Sequence, residues 1–348
     1  VSWTRSWPSC TTAAGDRTPT LANALKAPRA GGPRTSRGGA GARRAGRDSS
    51  AEEAEAKRLG DELARQEGEL RDIEGRRDTL LAAMPNLAED DAPDGGEEDA
   101  VELRRVGEPP VFAFAPRDHV ELATAAGALD MEAAARVSGA RFAYLKGPLV
   151  RLQLALVTLA LDTLEAAGFT PVIPPVLVRE EAMYGTGYFP TDRASIYQTA
   201  EDDLYLVGTS EGPPAGLDGD QILTDKDLPL RYGGLSTCFR REAGAAGKDT
   251  RGIFRVHQFD KVEMFSFVRP EDSAAEHQRI LGVEEAILQA IEVPYRVIDT
   301  AAGDLGASAA RKFDCEAWMP AQGAYREVTS CSNCTDYQAR RLRSRVRR

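Results

Sequence analysis

The chain has 348 residues, 42% hydrophobic and 28% charged, which allows about two to three domains with a sizeable core and excludes global disorder. Its net charge of −10 divides into +7 on residues 1–50, +6 on the last nine residues and −23 on the body between them. An acidic body excludes diffuse attraction to nucleic acid as the main binding principle, so any RNA contact must be local.

No run of about 18 apolar residues exists. The best candidate, 149–164, is broken by Arg151, Gln153 and Asp162, so no membrane-spanning helix and no membrane partner is expected. Five cysteines are too few for a disulfide framework in a chain this long; a reduced, cytoplasmic setting is expected.

Residues 1–50 hold seven Gly, two Leu and no Phe, Ile or Met. They show no period of 2 or 3.6 and are expected to be an unstructured basic segment, an organelle transit peptide or an off-frame stretch. In residues 51–87, Ala56, Leu63, Leu70 and Met84 recur at heptad spacing with Leu59, Ile73 and Leu80 between them. That pattern predicts a coiled-coil helix ending at Pro85-Asn86; a single solvated amphipathic helix would look much the same.

Residues 88–106 read as an acidic linker, and the globular part is expected over 107–348. A short strand is expected within Ala140–Leu145. Pro148 suits the first turn of an apolar helix that runs to Ala167 and stops at Gly168. Strands and turns are expected from Phe169 to Phe267, a helix over Glu271–Ile291, and strands over Val293–Thr300 and Lys312–Val328. Helices flanking a mostly antiparallel sheet make an α+β fold.

The stretch from Cys238 to Phe265 (CFRREAGAAGKDTRGIFRVHQFDKVEMF) reads as strand, Gly-rich loop, strand. By alternation, Arg240 and Glu242 share a face of the first strand; Arg255, His257, Phe259, Lys261 and Glu263 share a face of the second, with Val262 and Met264 behind. Cations, carboxylates and an aromatic ring on one face suit a ligand carrying phosphates, a flat base and an ammonium group. A solvated, salt-bridged sheet face is the plainer alternative.

This stretch resembles motif 2 of the class II aminoacyl-tRNA synthetases, in the form found in seryl-tRNA synthetases. Gly168-Phe-Thr-Pro-Val-Ile-Pro-Pro-Val-Leu-Val178 resembles motif 1, and Gly208-Thr-Ser-Glu211 resembles the serine-recognition loop. Arg326–Arg341 resembles the segment leading to motif 3, and the heptad helix resembles the second helix of the tRNA-binding arm.

The resemblance implies a class II antiparallel sheet flanked by helices, and a serine-tRNA ligase that uses ATP, Mg²⁺, L-serine and tRNA(Ser) as a homodimer. It implies an ATP site formed by Arg240, Arg241, Glu242, Val256, Phe259, Glu327, Val328, Thr329 and Ser330. Arg240 would be on the α-phosphate, Glu242 on the adenine side and Phe259 under the base. It implies serine contacts from Thr209, Ser210, Glu211 and Glu263, and Mg²⁺ on Glu327 and Ser330.

Three departures from the family pattern set further expectations. Gly212-Pro213-Pro214 follows the serine loop where apolar residues are usual, motif 3 does not occur before Arg348, and the first arm helix has no counterpart in 1–50. The chain as it stands is therefore expected to activate serine weakly or not at all. A non-catalytic dimerising or RNA-binding module and an amino acid:carrier-protein ligase are the competing functions. The heptads argue against the ligase, whose relatives lack the arm. Cys331-Ser-Asn-Cys334 has no second pair and is not expected to bind zinc. Arg340–Arg348 is expected to be an unfinished element, with an RNA-binding tail as the alternative.

Overall fold

The computed structural model describes residues 50–243 and 252–347; the expectations for residues 1–49 lie outside the described residues. The chain divides into two compact units, 1–78 and 79–348. Helix α1 (Ser50–Ala83) makes up the described part of the first unit and runs on into the second. Its charged surface is laced by Glu55–Arg58 and Glu62–Arg65 pairs at 2.7 and 2.6 Å, each adding a few tenths of a kcal/mol to an isolated helix. The heptad positions Leu59, Leu63, Leu70 and Ile73 stay exposed.

The second unit opens with β1 (Val101–Val106), α2 (His119–Ala125), β2 (Leu129–Asp130), α3 (Met131–Ser138), β3 (Tyr144–Leu145) and α4 (Pro148–Ala166). It continues with β4 (Thr170–Val172), β5 (Leu177–Val178), α5 (Glu180–Gly185), β6 (Tyr205–Leu206), α6 (Gly212–Leu217) and β7 (Ile222–Thr224). The long hairpin β8 (Leu230–Phe239) and β9 (Gln258–Phe267) follows, then α7 (Ser273–Ala290) and β10 (Tyr295–Asp299). Strands β11 (Arg311–Met319) and β12 (Ala324–Asn333), helix α8 (Tyr337–Leu342) and strand β13 (Arg345–Arg347) close it.

Two sheets carry the fold. One has the order β1-β10-β11-β12 and is antiparallel throughout. The other has the order β4-β8-β9, with β4 parallel to β8 and β8 antiparallel to β9. Helix α7 covers the first sheet: Leu281 and Leu288 pack against Tyr295, Val297, Phe313, Cys315 and Cys331. Its Val283 joins Leu164 of α4 and Phe169 in a second cluster that also takes Val262 and Met264 from β9. One helix thus serves both sheets. The two expected inward residues of β9 are in this core. Glu276 of α7 adds a bidentate ion pair with Arg231 of β8 at 2.6 and 2.7 Å.

Pro148 occupies the first turn of α4, and Gly168 follows its end with φ of 89°. That left-handed conformation favours glycine and lets the Phe169 N–H turn back to the Leu164 carbonyl at 3.0 Å. Three expectations need correction. The supposed linker ends in a strand, since Val101–Val106 pairs with β10. Its charged residues misled because it is an edge strand, where Arg104 reaches Glu285 and Arg105 pairs with Glu102. Two short helices, α5 and α6, interrupt the region read as strands and turns. Strand β12 runs on to Asn333 rather than ending at Val328. Apart from these corrections, residues 340–347 run through α8 and β13, which pairs in parallel with β7.

Candidate active site

Strand β8 ends at Phe239, and the residue after it, Arg240, is held at three points. Its N–H donates to the His257 carbonyl at 3.0 Å, and its Nε donates to the Gly208 carbonyl at 2.9 Å. Its guanidinium carbon lies 5.3 Å from the centre of the Phe259 ring. Arg240 therefore links the loop after β6 to the start of β9. Glu242 does not share a strand face with it: the strand has ended, and Glu242 has φ of 51°, which breaks the alternation. Its carboxylate instead pairs with Arg255 at 2.5 Å.

His257 also differs from expectation. It precedes β9, its Nδ1 is 2.8 Å from the Arg240 carbonyl, and its ring is 5.3 Å from that of Phe142. It is a brace behind Arg240. Arg241 donates its backbone N–H to the Ser195 carbonyl at 2.9 Å.

The antiparallel register sets Gly234 opposite Glu263 and Ser236 opposite Lys261. Residue 234 has no side chain, so the loop 208–211 passes close over β8: a Cβ on Gly234 would lie 2.9 Å from the Ser210 carbonyl oxygen. On this loop, Thr209 Oγ1 donates to Glu263 at 2.6 Å and accepts from Lys261 Nζ at 3.1 Å. Lys261 also pairs with Glu263. Burial alone would lower the Lys261 pKa, but the Glu263 carboxylate beside it raises it, so the lysine stays charged. The Ser210 hydroxyl is fully buried and engaged with the Lys261 carbonyl at 2.9 Å and Ser236 Oγ at 2.8 Å; it holds the loop down.

Glu211 occupies the N-cap position of α6 but makes no side-chain cap. Pro213 and Pro214 do not disturb this loop, because they fall in the first turn of α6, where a missing N–H is harmless. The Glu211 carboxylate accepts from Gln338 Nε2. Burial, and the nearby Glu263, push its pKa up to about 7.

Across the cavity, a bulge shapes β12. Glu316 pairs with Glu327 while its neighbour Cys315 pairs with Thr329, leaving Val328 as the extra residue. Glu327 and Ser330 are three apart and would point to opposite faces of a regular strand; the bulge brings both to the face of Asp314 and Lys312. Lys312 Nζ is 2.8 Å from Asp314 and 3.8 Å from Glu327. Burial and the Glu327 charge push the Asp314 pKa up to about 6, and its Oδ1 is buried without a partner. Oxygen ligands gathered on one face, with an unsatisfied carboxylate oxygen among them, fit Mg²⁺, which takes one or two protein ligands beside phosphates. Thr329 points the other way, to Glu284 of α7.

Arg240, Glu242, Val256, Phe259, Glu211, Glu263 and residues 327–330 all line one cavity of about 2190 Å³, bordered by β9 and β12. Thr209, Ser210 and Arg241 do not line it; the first two are buried and Arg241 is exposed. Sequence reasoning missed Gln338, Glu284 and Asp314 as cavity residues. Asp314 could have been found by alternation with Glu316 on β11, whereas Gln338 carried no signal.

The profile of the tRNA synthetase class II core domain (G, H, P, S and T) matches residues 193–348. The serine–tRNA ligase of Acidothermus cellulolyticus is 60% identical over 271 residues, 78% of this chain and 64% of that protein. That of Thermobifida fusca is 54% identical over 303 residues, 86% of this chain and 72% of that protein. Among solved structures, seryl-tRNA synthetase from Pyrococcus horikoshii complexed with ATP matches with a TM-score of 0.83 at 42% identity, over 90% of this chain and 75% of that one. The cytoplasmic serine-tRNA ligase of Naegleria fowleri in complex with AMP gives 0.76 at 36% identity, over 82% and 69%. The chain spans about two thirds of the length of these curated relatives, and at this identity and coverage it belongs to the seryl-tRNA synthetase family.

Proposed function

We propose that this protein activates L-serine with ATP to form seryl-adenylate and passes the seryl group to tRNA(Ser), in the cytoplasm and as a homodimer. The observation that carries this reading is the join between two half-sites: Arg240 over Phe259 on one side, and the Thr209–Glu263–Lys261 cluster with Glu211 on the other. Phe259 and Glu263 are four residues apart on β9, about 13 Å by strand rise. That span separates a base from an ammonium group in an aminoacyl-adenylate.

Serine's carboxylate is ionised at neutral pH, so its attack on the α-phosphorus needs no general base. The chain's contribution is to position the reactants and balance charge. Arg240 faces the α-phosphate, Phe259 stacks on adenine, Glu242 is on the adenine side, and Glu263 and Glu211 receive the ammonium group. Glu327 and Ser330 would hold Mg²⁺, which supplies neutralisation of phosphate charge when bound. A small polar pocket with buried carboxylates discriminates against alanine, whose missing hydroxyl leaves polar groups there unpaired. The dimer reading rests on α4, where Leu152 and Leu154 are 53% and 54% exposed, and on Ile173 at 84%; a second copy would cover this apolar face.

Calorimetric titration with a non-hydrolysable seryl-adenylate analogue, against its threonyl and alanyl counterparts, tests the reading. The seryl compound should bind at least about tenfold tighter. No binding, or equal binding of the three, would overturn it.

A further inference from the structure

Gln338 is 5% exposed and lies in the first turn of α8. Its Nε2 donates to the Thr186 carbonyl at 3.2 Å and to Glu211 Oε1 at 2.5 Å. The amide is thus fixed from two sides, and Glu211, which caps no helix N–H, is turned toward it. We infer that Gln338 is the positioning residue of the amino-acid pocket, holding the Glu211 carboxylate turned toward the ammonium group of serine. The inference rests on the reading of this pocket as a serine site.

The chemistry favours an amide at this position. A buried carboxylate needs a donor, yet a lysine or arginine there would neutralise the charge that is to meet the substrate's ammonium. A neutral N–H₂ satisfies one oxygen and leaves the charge in place. The other groups facing Glu211 work in opposite senses: Glu263 disfavours its ionisation and Lys261 favours it, as does the Gln338 hydrogen bond. Tyr188 and Cys334 also face it, and burial keeps both neutral by raising their pKa values to about 12. Of the two groups that favour the ionised form, Lys261 pairs with Glu263, whereas Gln338 donates directly to Glu211.

The test compares the full chain with Gln338→Leu and Gln338→Glu, each checked for folding by its thermal midpoint. Binding of the seryl-adenylate analogue and of AMP is measured by calorimetry, and the Glu211 carboxyl is titrated by ¹³C NMR in the free protein. Loss of a hydrogen bond to a charged group predicts about tenfold or greater weakening toward the analogue in Gln338→Leu, with AMP unchanged. The Glu211 midpoint should move up in Gln338→Leu, and further in Gln338→Glu, where a third carboxylate joins the pocket. An unmoved midpoint, or equal losses for analogue and AMP, would overturn the inference. If the midpoint moves but the unsubstituted chain does not bind the analogue, Gln338 still positions Glu211 and the serine reading falls.

Discussion

Thr209 Oγ1 donates to Glu263 Oε2 at 2.6 Å, joining the loop after β6 to the middle of β9. Glu263 is four residues along β9 from Phe259: Phe259 pairs with Cys238 and Glu263 with Gly234. Glu263→Ala should therefore remove binding of the seryl-adenylate analogue while leaving AMP affinity within about twofold, since uncoupled sites behave independently. Equal losses for both ligands in calorimetry would mean that Glu263 does not belong to the amino acid.

The close passage over Gly234 makes a second, sterically opposite prediction. Gly234→Ala puts a methyl 2.9 Å from both the Ser210 carbonyl oxygen and Pro214 Cγ. Overpacking of this kind costs about 1–3 kcal/mol, and here the displaced atoms belong to the serine loop. Denaturant melts should show the loss of stability and titrations a weaker analogue. An alanine variant with unchanged affinity would show that the loop does not depend on this contact.

Glu284 sets a pH dependence of stability. Burial pushes its pKa up to about 8 from an ordinary 4.5, and its Oε2 has no partner. The folded protein then holds a proton that the unfolded chain has released, so stability is full below pH 4.5 and is lost as pH rises toward 8. Glu284→Gln removes this term. Relative to the parent chain, the variant should gain stability with rising pH, by on the order of a few kcal/mol across that window. Parallel stability–pH curves for the two proteins would refute this.

The exposed leucines of α4 bear on assembly. Leu154→Glu places a charge in the middle of the apolar face, where it would be desolvated on association. Light scattering at micromolar concentration should report a dimer for the parent chain and a monomer for the variant. A variant that remains dimeric would move the interface elsewhere.

Much of the fold is legible in the residues because local and global preferences agree. Pro148 and Gly168 bracket α4 by the two rules that favour them there, and alternation along β9 separates Val262 and Met264 from Phe259, Lys261 and Glu263. The failures have physical causes. Strand β1 is hidden because its charges pair with neighbours on an open edge rather than with water. The proline pair after Glu211 looks disruptive until it is placed in a helix's first turn. Glu242 leaves its expected face because the strand stops at Phe239, and no local pattern announces that stop. Gln338 contacts Glu211 from 127 residues away, a relationship that only the folded chain creates.

The bulge at Val328 has a consequence for how this strand can vary. Deleting Val328 would leave a regular β11–β12 ladder with Glu327 and Ser330 two apart and still on one face, whereas straightening the strand with every residue kept would send them to opposite sides of the sheet. The extra residue and the bulge go together: this segment can lose both, but not one without the other.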